Sequence, residues 1–392
     1  MARTLHVALI GGPQYDELYS RLPAFEAATG YRVEMVARLP HPELNAFVAE
    51  AFAGGRQPQI DLLSTHIKYA PSQARFLVPL DEHIGEDEIG AFLPAAIQAS
   101  RIHDRLMQVP RMVDARLLFY RTNLLAEAQL QPPGSWEELS RQAQQLSAPP
   151  ARYGYVFPGS QSGLFGTFFE LVAMAGGRLF DEEGAPLFEQ VAVEWALRYL
   201  RDLYTEQIVP PELPDLYFDE VSDYFRQGQV AFAADWPAFY ALYKNSDTSK
   251  VVNTFGVMRY PPGPAGRRAV YSGMHSFAIP TTARNIAASL ALLRFLLDEE
   301  SQWLEARRGA FPTRIAVLQR LQDAAAPQSL DARRLALLAE TVREDMLMFP
   351  HLERYPQIED DLWPIIQQVI LGRLEPEEAT RLMRARAQEI LP

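Results

Sequence analysis

The sequence predicts an α/β protein with two domains. The chain has 392 residues, and a chain of that length exceeds one ordinary hydrophobic core. Between residues 5 and 66, apolar segments of strand length alternate with segments of helical periodicity. That order is typical of α/β folds in which strands run parallel. Hydrophobic residues make up 48% of the chain and charged residues 22%, an ordinary composition for a globular protein.

Three strands and two helices are predicted in the first part of the chain. The strand LHVALIGG (5–12) is apolar and closed by two glycines, which is typical of a parallel strand buried on both faces. The next helix carries Leu18, Leu22 and Phe25 on one face and ends at Gly30. The strand YRVEMVA, the helix ELNAFVAEAFAGG and the strand QIDLLST follow in that order.

The rest of the chain continues to mix helices and strands. Ser135 opens the predicted helix SWEELSRQAQQL, and Glu138 three residues later predicts a capping box. YGYVF predicts a strand, GSQSGLFG a turn, and TFFELVAMAGG a helix. In FRQGQVAFAADWPAFY, the segment VAFAA predicts a buried strand that ends near Trp236, just before Pro237. HSFAIP predicts a strand, and the tail is mostly helical.

Composition and charge exclude several classes of protein. The formal net charge is −12, which argues against nucleic acid or anionic lipid as a partner. The absence of cysteine excludes disulfides, thiolate metal sites and a cysteine nucleophile. The opening MARTLHVALIGG reaches a strand within a few residues, so we expect no signal peptide in this chain. That opening fits either a cytoplasmic protein or the mature form of an exported one.

Local catalytic and metal-binding motifs are missing from the sequence. The seven histidines are scattered and form no HExxH pair, and there is neither a Walker A loop nor GxGxxG. GSQSG resembles a nucleophile elbow, but Gln161 occupies the position of the serine. We therefore expect no catalytic residues, no cofactor and no metal. A hydrolase whose paired acids lie far apart in the sequence stays open as an alternative.

Ten segments in a fixed order carry a family resemblance. They are LHVALIGGPQYDEL, FEAATGYRVE, GGRQPQIDLL, LVPLDEHI, VPRMVDARLLFYRTNLL, PPGSWEEL, AGGRLFDEEG, FRQGQVAFAADW, YSGMHSFAIP and GAFPTR. Over nearly its whole length the chain resembles the extracellular solute-binding proteins of ABC importers, in the family that carries sugars and maltooligosaccharides. The departures are local: Gln59 alters the usual proline–aspartate spacing, and FYRTN replaces a doubled tyrosine and asparagine.

The resemblance implies the two-lobed periplasmic-binding-protein fold of type II. Two α/β lobes would be joined by three crossovers, near Val109–Val113, Ser272–Met274 and Gly309–Thr313. The N-terminal lobe would comprise 1–110 plus 274–308, and the C-terminal lobe 111–273 plus 309–392, with the ligand cleft between them. The strand pattern alone predicts two α/β domains, and only the resemblance divides them in this way.

In this family the ligand meets loops at the carboxyl ends of strands, which implies a first set of site residues. After the first strand these are Gly12, Gln14 and Tyr15, although a tight turn before the next helix would explain them equally well. After the third strand they are Ser64, Thr65 and His66. The alternative for this second trio is helix capping.

A second set follows the first crossover. Asp114 matches a position where relatives place an acid against sugar hydroxyls, and a carboxylate accepts charge-assisted bonds from vicinal hydroxyls. Arg116 would share its strand face, with an internal ion pair as the alternative. Ser160 and Gln161 lie in the turn after YGYVF, where an ordinary loop is the alternative.

Aromatic and crossover residues complete the implied site. Trp236 falls where sugar-binding relatives stack an aromatic ring on a pyranose, and Trp363 matches a second such position. Core packing is the alternative for both. Gly273 would allow the backbone to approach the ligand, and His275 would offer a ring nitrogen. Arg314 would be a ligand clamp or a hinge salt bridge.

The resemblance thus implies a binding protein that is not an enzyme. It would take up a carbohydrate by aromatic stacking and hydrogen bonds, close by a hinge motion, and deliver the ligand to ABC importer permease subunits. We expect a monomer located outside the cytoplasm. An anionic or phosphorylated polyol is the alternative ligand, because Arg111, Arg116 and Arg314 lie near the implied cleft.

Overall fold

A computed structural model of the protein describes residues 3–12, 15–53 and 59–391. The strands are β1 (Arg3–Ile10), β2 (Tyr31–Leu39), β3 (Leu62–His66), β4 (Arg101–Ile102), β5 (Arg105–Leu106), β6 (Val109–Ala115), β7 (Leu117–Arg121), β8 (Tyr153–Val156), β9 (Val230–Asp235), β10 (Phe255–Met258), β11 (Ser272–Ala278) and β12 (Phe311–Pro312).

The α-helices number eighteen in the part of the chain that the structure describes. They are α1 (Asp16–Tyr19), α2 (Leu22–Thr29), α3 (His41–Ala53), α4 (Ala70–Gln73), α5 (Glu86–Ile89), α6 (Pro94–Ala99), α7 (Thr122–Glu127), α8 (Trp136–Leu146), α9 (Gln161–Met174), α10 (Val191–Thr205), α11 (Phe218–Arg226), α12 (Tyr240–Lys244), α13 (Ile286–Leu296), α14 (Glu299–Ala306), α15 (Ile315–Ala324), α16 (Leu330–Glu344), α17 (Tyr355–Ile370) and α18 (Pro376–Ile390).

The chain forms two compact α/β units, as the strand pattern predicted. The first unit comprises Met1–Asp114, Gly273–Ala325 and His351–Glu353. The second unit comprises Ala115–Ser272, Ala326–Pro350 and Arg354–Pro392. The sequence placed the third passage between lobes near Gly309–Thr313, whereas here the chain stays in the first unit until Ala325. Helix α15 remains with this unit because it packs against α14 and β12.

A six-stranded sheet with the order β12-β6-β11-β3-β1-β2 forms the base of the first unit. β1 pairs in parallel with β2 and β3, whereas β11 runs antiparallel to β3. Val7, Leu9, Leu62 and Phe277 are completely buried on these strands. The near-continuous apolar character of β1 is thus explained by burial on both faces of the sheet.

A four-stranded sheet with the order β10-β7-β9-β8 forms the base of the second unit. β9 runs parallel to β8 and antiparallel to β7. Helix α9 packs against α10 and α17, and Phe165, Phe168, Leu197 and Ile366 between these helices are completely buried. The second unit therefore has its own hydrophobic core.

One helix predicted after β1 is interrupted in the structure. It forms as α1 and α2, and Leu18, Leu22 and Phe25 are all buried as expected. Pro23 lies in the first turn of α2, where its missing N–H group removes a hydrogen bond that a continuous helix would need. Gly30 ends α2 in the left-handed conformation, with φ at 71°, as the predicted glycine stop requires.

The turn predicted at GSQSGLFG is wrong, because α9 already begins at Gln161. Its glycines serve close packing rather than a turn. A Cβ atom on Gly166 would lie 2.7 Å from the ring of Tyr271, and one on Gly163 would lie 2.5 Å from Pro158. Both distances are too short for real contacts, so only glycine allows this helix to approach its neighbours.

Helix α8 begins with the serine cap that the sequence predicted. The hydroxyl of Ser135 accepts a hydrogen bond of 3.1 Å from the N–H of Glu138. The Glu138 carboxylate accepts instead from the N–H of Gly134, at 2.8 Å. The second bond thus lies one residue before the position that a reciprocal capping box uses.

We expect Ser135→Ala to lower the free energy of unfolding by about 1 kcal/mol, because the N–H of Glu138 loses its acceptor. Ser135→Asp should retain most of the stability, since a carboxylate accepts the same bond and suits a helix N-terminus. Urea unfolding of the three proteins measures both effects. Equal losses in the two variants would show that the serine acts through packing instead.

Candidate functional site

The first unit brings several predicted site residues together at the carboxyl end of β3. His66 pairs directly with His275 across β3 and β11, and their ring centroids lie 5.2 Å apart. Tyr15 lies 6.3 Å from His275, measured between ring centroids. The N–H of Tyr15 donates to the carbonyl of Gly12 at 3.1 Å. Gln14 lies outside the described residues.

The predicted trio on β3 divides between the two faces of the strand. Successive strand residues point in opposite directions, so Thr65 points away from the face that carries Ser64 and His66. Its hydroxyl donates to Gln73 at 2.7 Å. The backbone N–H groups of Lys68 and Met274 lie 3.1 Å from Nδ1 and 3.3 Å from Nε2 of His66, respectively, and a neutral imidazole accepts only at the nitrogen without a proton. Ser64 and Thr65 are both buried.

Asp114 has an oxygen, Oδ1, that is buried and has no hydrogen-bond partner among the described residues. Burial, reinforced by the negative charge of Glu305 and opposed by Arg111, raises the pKa of Asp114 to about 7. A Cβ atom on Gly273 would lie 3.7 Å from the Cβ of Asp114 and 3.2 Å from Nε2 of His66. Asp114, His66 and Gly273 are therefore neighbours, and the carboxyl offers an unused acceptor beside them.

A buried ion pair lies beside Asp114. Nε of Arg111 donates to Oε2 of Glu305 at 2.8 Å, and Nη2 donates to Oε1. The Arg111 guanidinium also lies 4.5 Å from the ring centroid of Tyr15. Glu305 was missed by sequence reasoning, because it is 194 positions from Arg111 and no local motif marks it.

Trp236 follows β9 in the second unit and is only partly buried. The backbone N–H of Trp236 donates to Oδ1 of Asp235 at 2.7 Å, while the Tyr243 hydroxyl donates to the other carboxylate oxygen. The ring of Phe218 meets the indole edge-to-face at 5.5 Å, and Tyr271 lies 6.4 Å away between centroids. The contacts with Phe218 and Tyr271 hold the indole at the end of the strand and leave part of it exposed.

Arg116 is completely buried and forms the internal ion pair that was the alternative to ligand contact. Nη1 donates to Thr167 at 2.9 Å and to Glu170 at 3.3 Å, and Nη2 donates to the carbonyl of Gly163 at 3.2 Å. Burial outweighs the arginine and raises the pKa of Glu170 to about 7. The guanidinium lies 4.9 Å from the ring centroid of Trp236.

Ser160, Gln161 and Trp363 are distributed over α9 and α17. Ser160 is buried and its hydroxyl donates to the carbonyl of Leu216 at 3.0 Å. Gln161 is exposed and begins α9 with φ at 50°. Trp363 is partly buried on α17, one turn after Glu359, which accepts a hydrogen bond of 3.2 Å from the Tyr271 hydroxyl.

Arg314 packs within the first unit. Its guanidinium lies 4.6 Å from the ring centroid of Phe92, and Nε donates to the carbonyl of Leu297. Burial lowers its pKa. Among the described residues, this arginine therefore lies in an aromatic and main-chain environment.

Residues 12–303 match the family of bacterial extracellular solute-binding proteins. The chain belongs to this family. Its members are binding components of ABC transporters, so the chain is a solute-binding protein of that type. Among the described residues, three or more His, Asp or Glu side chains nowhere gather as a metal site would need. Every helix in the same part of the chain is too short or too polar to cross a bilayer.

Two solved structures share the fold over the full chain. The maltose-bound MalE3 of T. maritima has a TM-score of 0.84 and 26% identity, and covers 100% of both chains. A solute-binding protein from Agrobacterium radiobacter K84 in complex with ribitol has a TM-score of 0.84 and 21% identity, and covers 99% of both chains. These likenesses confirm the two-lobed fold predicted from the ordered segments.

A curated relative from Deinococcus radiodurans is named a probable ABC transporter-binding protein. It is 25% identical over 320 residues, which cover 80% of this chain and 76% of the relative. The name agrees with the family match.

We expect Asp114→Asn to flatten the pH dependence of stability between about pH 4 and pH 7. The native carboxyl holds its proton up to about pH 7, whereas an unfolded aspartate releases it near pH 3.9. Stability is therefore lost as pH rises through this window, by at most about 1.4 kcal/mol per pH unit, and levels off above it. Asparagine removes that contribution.

Urea unfolding at several pH values measures the effect, with Asp87→Asn as the matched control for loss of an exposed carboxylate in the same unit. Parallel pH profiles for the parent and Asp114→Asn would contradict a raised pKa.

Proposed function

We propose that the protein binds a neutral, hydroxyl-rich small molecule, a sugar or a polyol. The observation that carries this proposal is the partly exposed indole of Trp236, held at the end of β9 by ring contacts with Phe218 and Tyr271. The C–H face of a sugar ring packs on such an indole, while hydroxyls at its edge need polar partners. Maltose is the ligand of MalE3, the structural neighbour at 26% identity, which supports a carbohydrate.

Asp114 supplies the polar half of the proposed recognition. Its Oδ1 is buried and lacks a partner among the described residues, and an unpaired buried acceptor is costly until a donor reaches it. Sugar hydroxyls are donors of that kind. Gly12, Tyr15, Ser64, His66, Gly273 and His275 form the rest of the proposed ligand environment in the first unit.

The charges of the two units favour a neutral ligand over an anionic one. Arg111 and Arg116 were the cations on which an anionic polyol depended, and both are buried against glutamates. Arg314 packs on Phe92. Among the described residues, Asp114 has a buried carboxyl oxygen without a hydrogen-bond partner, and in its ionised form this carboxyl repels a phosphate or carboxylate.

The protein would act as the binding component of an importer without transforming its ligand. Lobe closure by a hinge would accompany binding, and the loaded protein would pass its ligand to permease subunits outside the cytoplasm. We further propose that it acts as a monomer. We also propose that it does not bind nucleic acid, since its net charge is −12.

We expect a thermal-shift screen of mono-, di- and oligosaccharides, polyols and polyol phosphates to find a neutral ligand. At a hundred times its dissociation constant, such a ligand stabilises the native state by about 2.7 kcal/mol. Trp236→Ala should remove most of that shift, and Trp195→Ala, which truncates another partly buried indole of the second unit, should leave it intact.

Stabilisation only by anionic compounds, with Trp236→Ala indifferent, would overturn the sugar assignment. Release of a smaller product from a glycoside in the same panel would instead identify an enzyme.

We also expect ligand affinity to rise about tenfold between pH 6 and pH 8, because a carboxylate with a pKa of about 7 accepts hydroxyl donors best when ionised. Calorimetry at pH 6, 7 and 8 measures this dependence. Asp114→Asn should bind more weakly and lose the part of the dependence that Asp114 contributes. An unchanged profile in the variant would exclude Asp114 as the titrating group.

A further inference from the structure

The buried arginine of the second unit has contacts that suggest more than a structural ion pair. Three aromatic rings surround the Arg116 guanidinium: Trp236 at 4.9 Å, Tyr271 at 5.4 Å and Phe218 at 5.9 Å from the ring centroids. Cation–π attraction of this kind strengthens when the cation is removed from water. Trp236 and the two rings packed against it thus lie near the same buried cation.

We infer that Arg116 is a positioning residue, which fixes Trp236 and Tyr271 in the orientation in which the indole receives its ligand. This inference rests on the proposed function of Trp236. Arg116 does not touch the ligand itself, because its side chain is completely buried.

The guanidinium cannot turn freely, which is the first requirement for this role. Hydrogen bonds to Thr167, Glu170 and the carbonyl of Gly163 hold it from three directions. All three partners lie on α9, and a planar guanidinium bound at several points is fixed in position and in orientation. Helix α9 therefore determines which face of the Arg116 guanidinium meets the indole.

Tyr271 is held by the same group of residues. Its N–H donates to Oε1 of Glu170 at 2.8 Å, and its hydroxyl donates to Glu359 at 3.2 Å. Its ring approaches α9 so closely that a Cβ atom on Gly166 would lie 2.7 Å away. Glu170 thus fixes the arginine with one oxygen and the tyrosine backbone with the other.

The position of this network in the chain connects it with the hinge. Arg116 lies two residues after Asp114, at the first passage between units, and Tyr271 lies two residues before Gly273, at the second. The support of the indole is therefore built from residues that flank two of the passages.

The test replaces both buried charges at once, because removing only one would leave the other unpaired and destabilise the fold. In Arg116→Met/Glu170→Gln, methionine fills much of the space of the arginine stem, and glutamine can still accept from the N–H of Tyr271. The control is Arg334→Met, since Arg334 is another buried arginine of the second unit, 4.6 Å from the ring centroid of Tyr240.

The first measurement is the near-ultraviolet circular dichroism of Trp236 in the free protein, taken as the difference between each chain and its own Trp236→Phe counterpart. We expect the double variant to lose most of this signal while unfolding at a temperature close to that of the parent. Arg334→Met should retain the signal. An unchanged signal in the double variant would overturn the inference, whether or not a ligand is known.

The second measurement is affinity for the sugar or polyol that stabilises the parent. We expect the double variant to bind about tenfold more weakly or worse, with Arg334→Met close to the parent. A changed Trp236 signal with less than about a threefold loss of affinity would overturn the positioning role in binding. If no sugar or polyol binds the parent, the proposed function fails, and the dichroism still decides whether Arg116 orients the indole.

Should the double variant fail to fold, Arg116→Lys replaces it. Lysine keeps the charge and loses the fork that holds three partners, so the inference predicts an altered Trp236 signal. An unaltered signal in Arg116→Lys would contradict it.

Discussion

A buried arginine paired with a glutamate is the interaction on which the candidate site of each unit depends. Arg111 and Glu305 form this pair in the first unit, and Arg116 and Glu170 in the second. The two arginines stand on either side of the point where the chain leaves the first unit, after Asp114. An ion pair out of water adds little net stability, yet removing one member is costly. Each pair therefore constrains geometry more than it adds free energy of folding.

That constraint reaches the candidate ligand groups through different contacts. In the first unit, burial raises the pKa of Asp114, with the charge of Glu305 adding to this effect and that of Arg111 opposing it, so the pair influences the protonation state of a proposed acceptor. In the second unit, Arg116 lies 4.9 Å from the ring of Trp236 and so sets the environment of a proposed stacking surface. The two arginines are buried, and the groups proposed to contact the ligand are the carboxyl of Asp114 and the indole of Trp236. This division of charge favours a neutral, hydroxyl-bearing solute over an anion.

Glycine is the second recurrent constraint, because it allows close approach at the positions where the site is assembled. Gly166 admits the ring of Tyr271 against α9, and Gly273 leaves space beside His66 and Asp114. Larger residues at either position would displace an aromatic ring or a histidine that the proposed site uses. The packing at these strand ends and helix faces thus requires glycine, which has no side chain.

The sequence by itself determined the α/β class, the first three strands, the glycine stop of α2, the serine cap of α8 and the position of Trp236 at a strand end. Each of these depends on periodicity or on neighbours within a few residues, which one chain displays directly. It also placed Tyr15, His66, Asp114, Gly273 and His275 in one implied site.

Only the tertiary structure showed that Arg116 faces inward, that Glu305 stands beside Arg111, and that the glycines after Ser160 lie within a helix. The first two facts depend on contacts between residues 47 to 194 positions apart. No local pattern encodes such partners, because burial and pairing are decided when distant segments pack together.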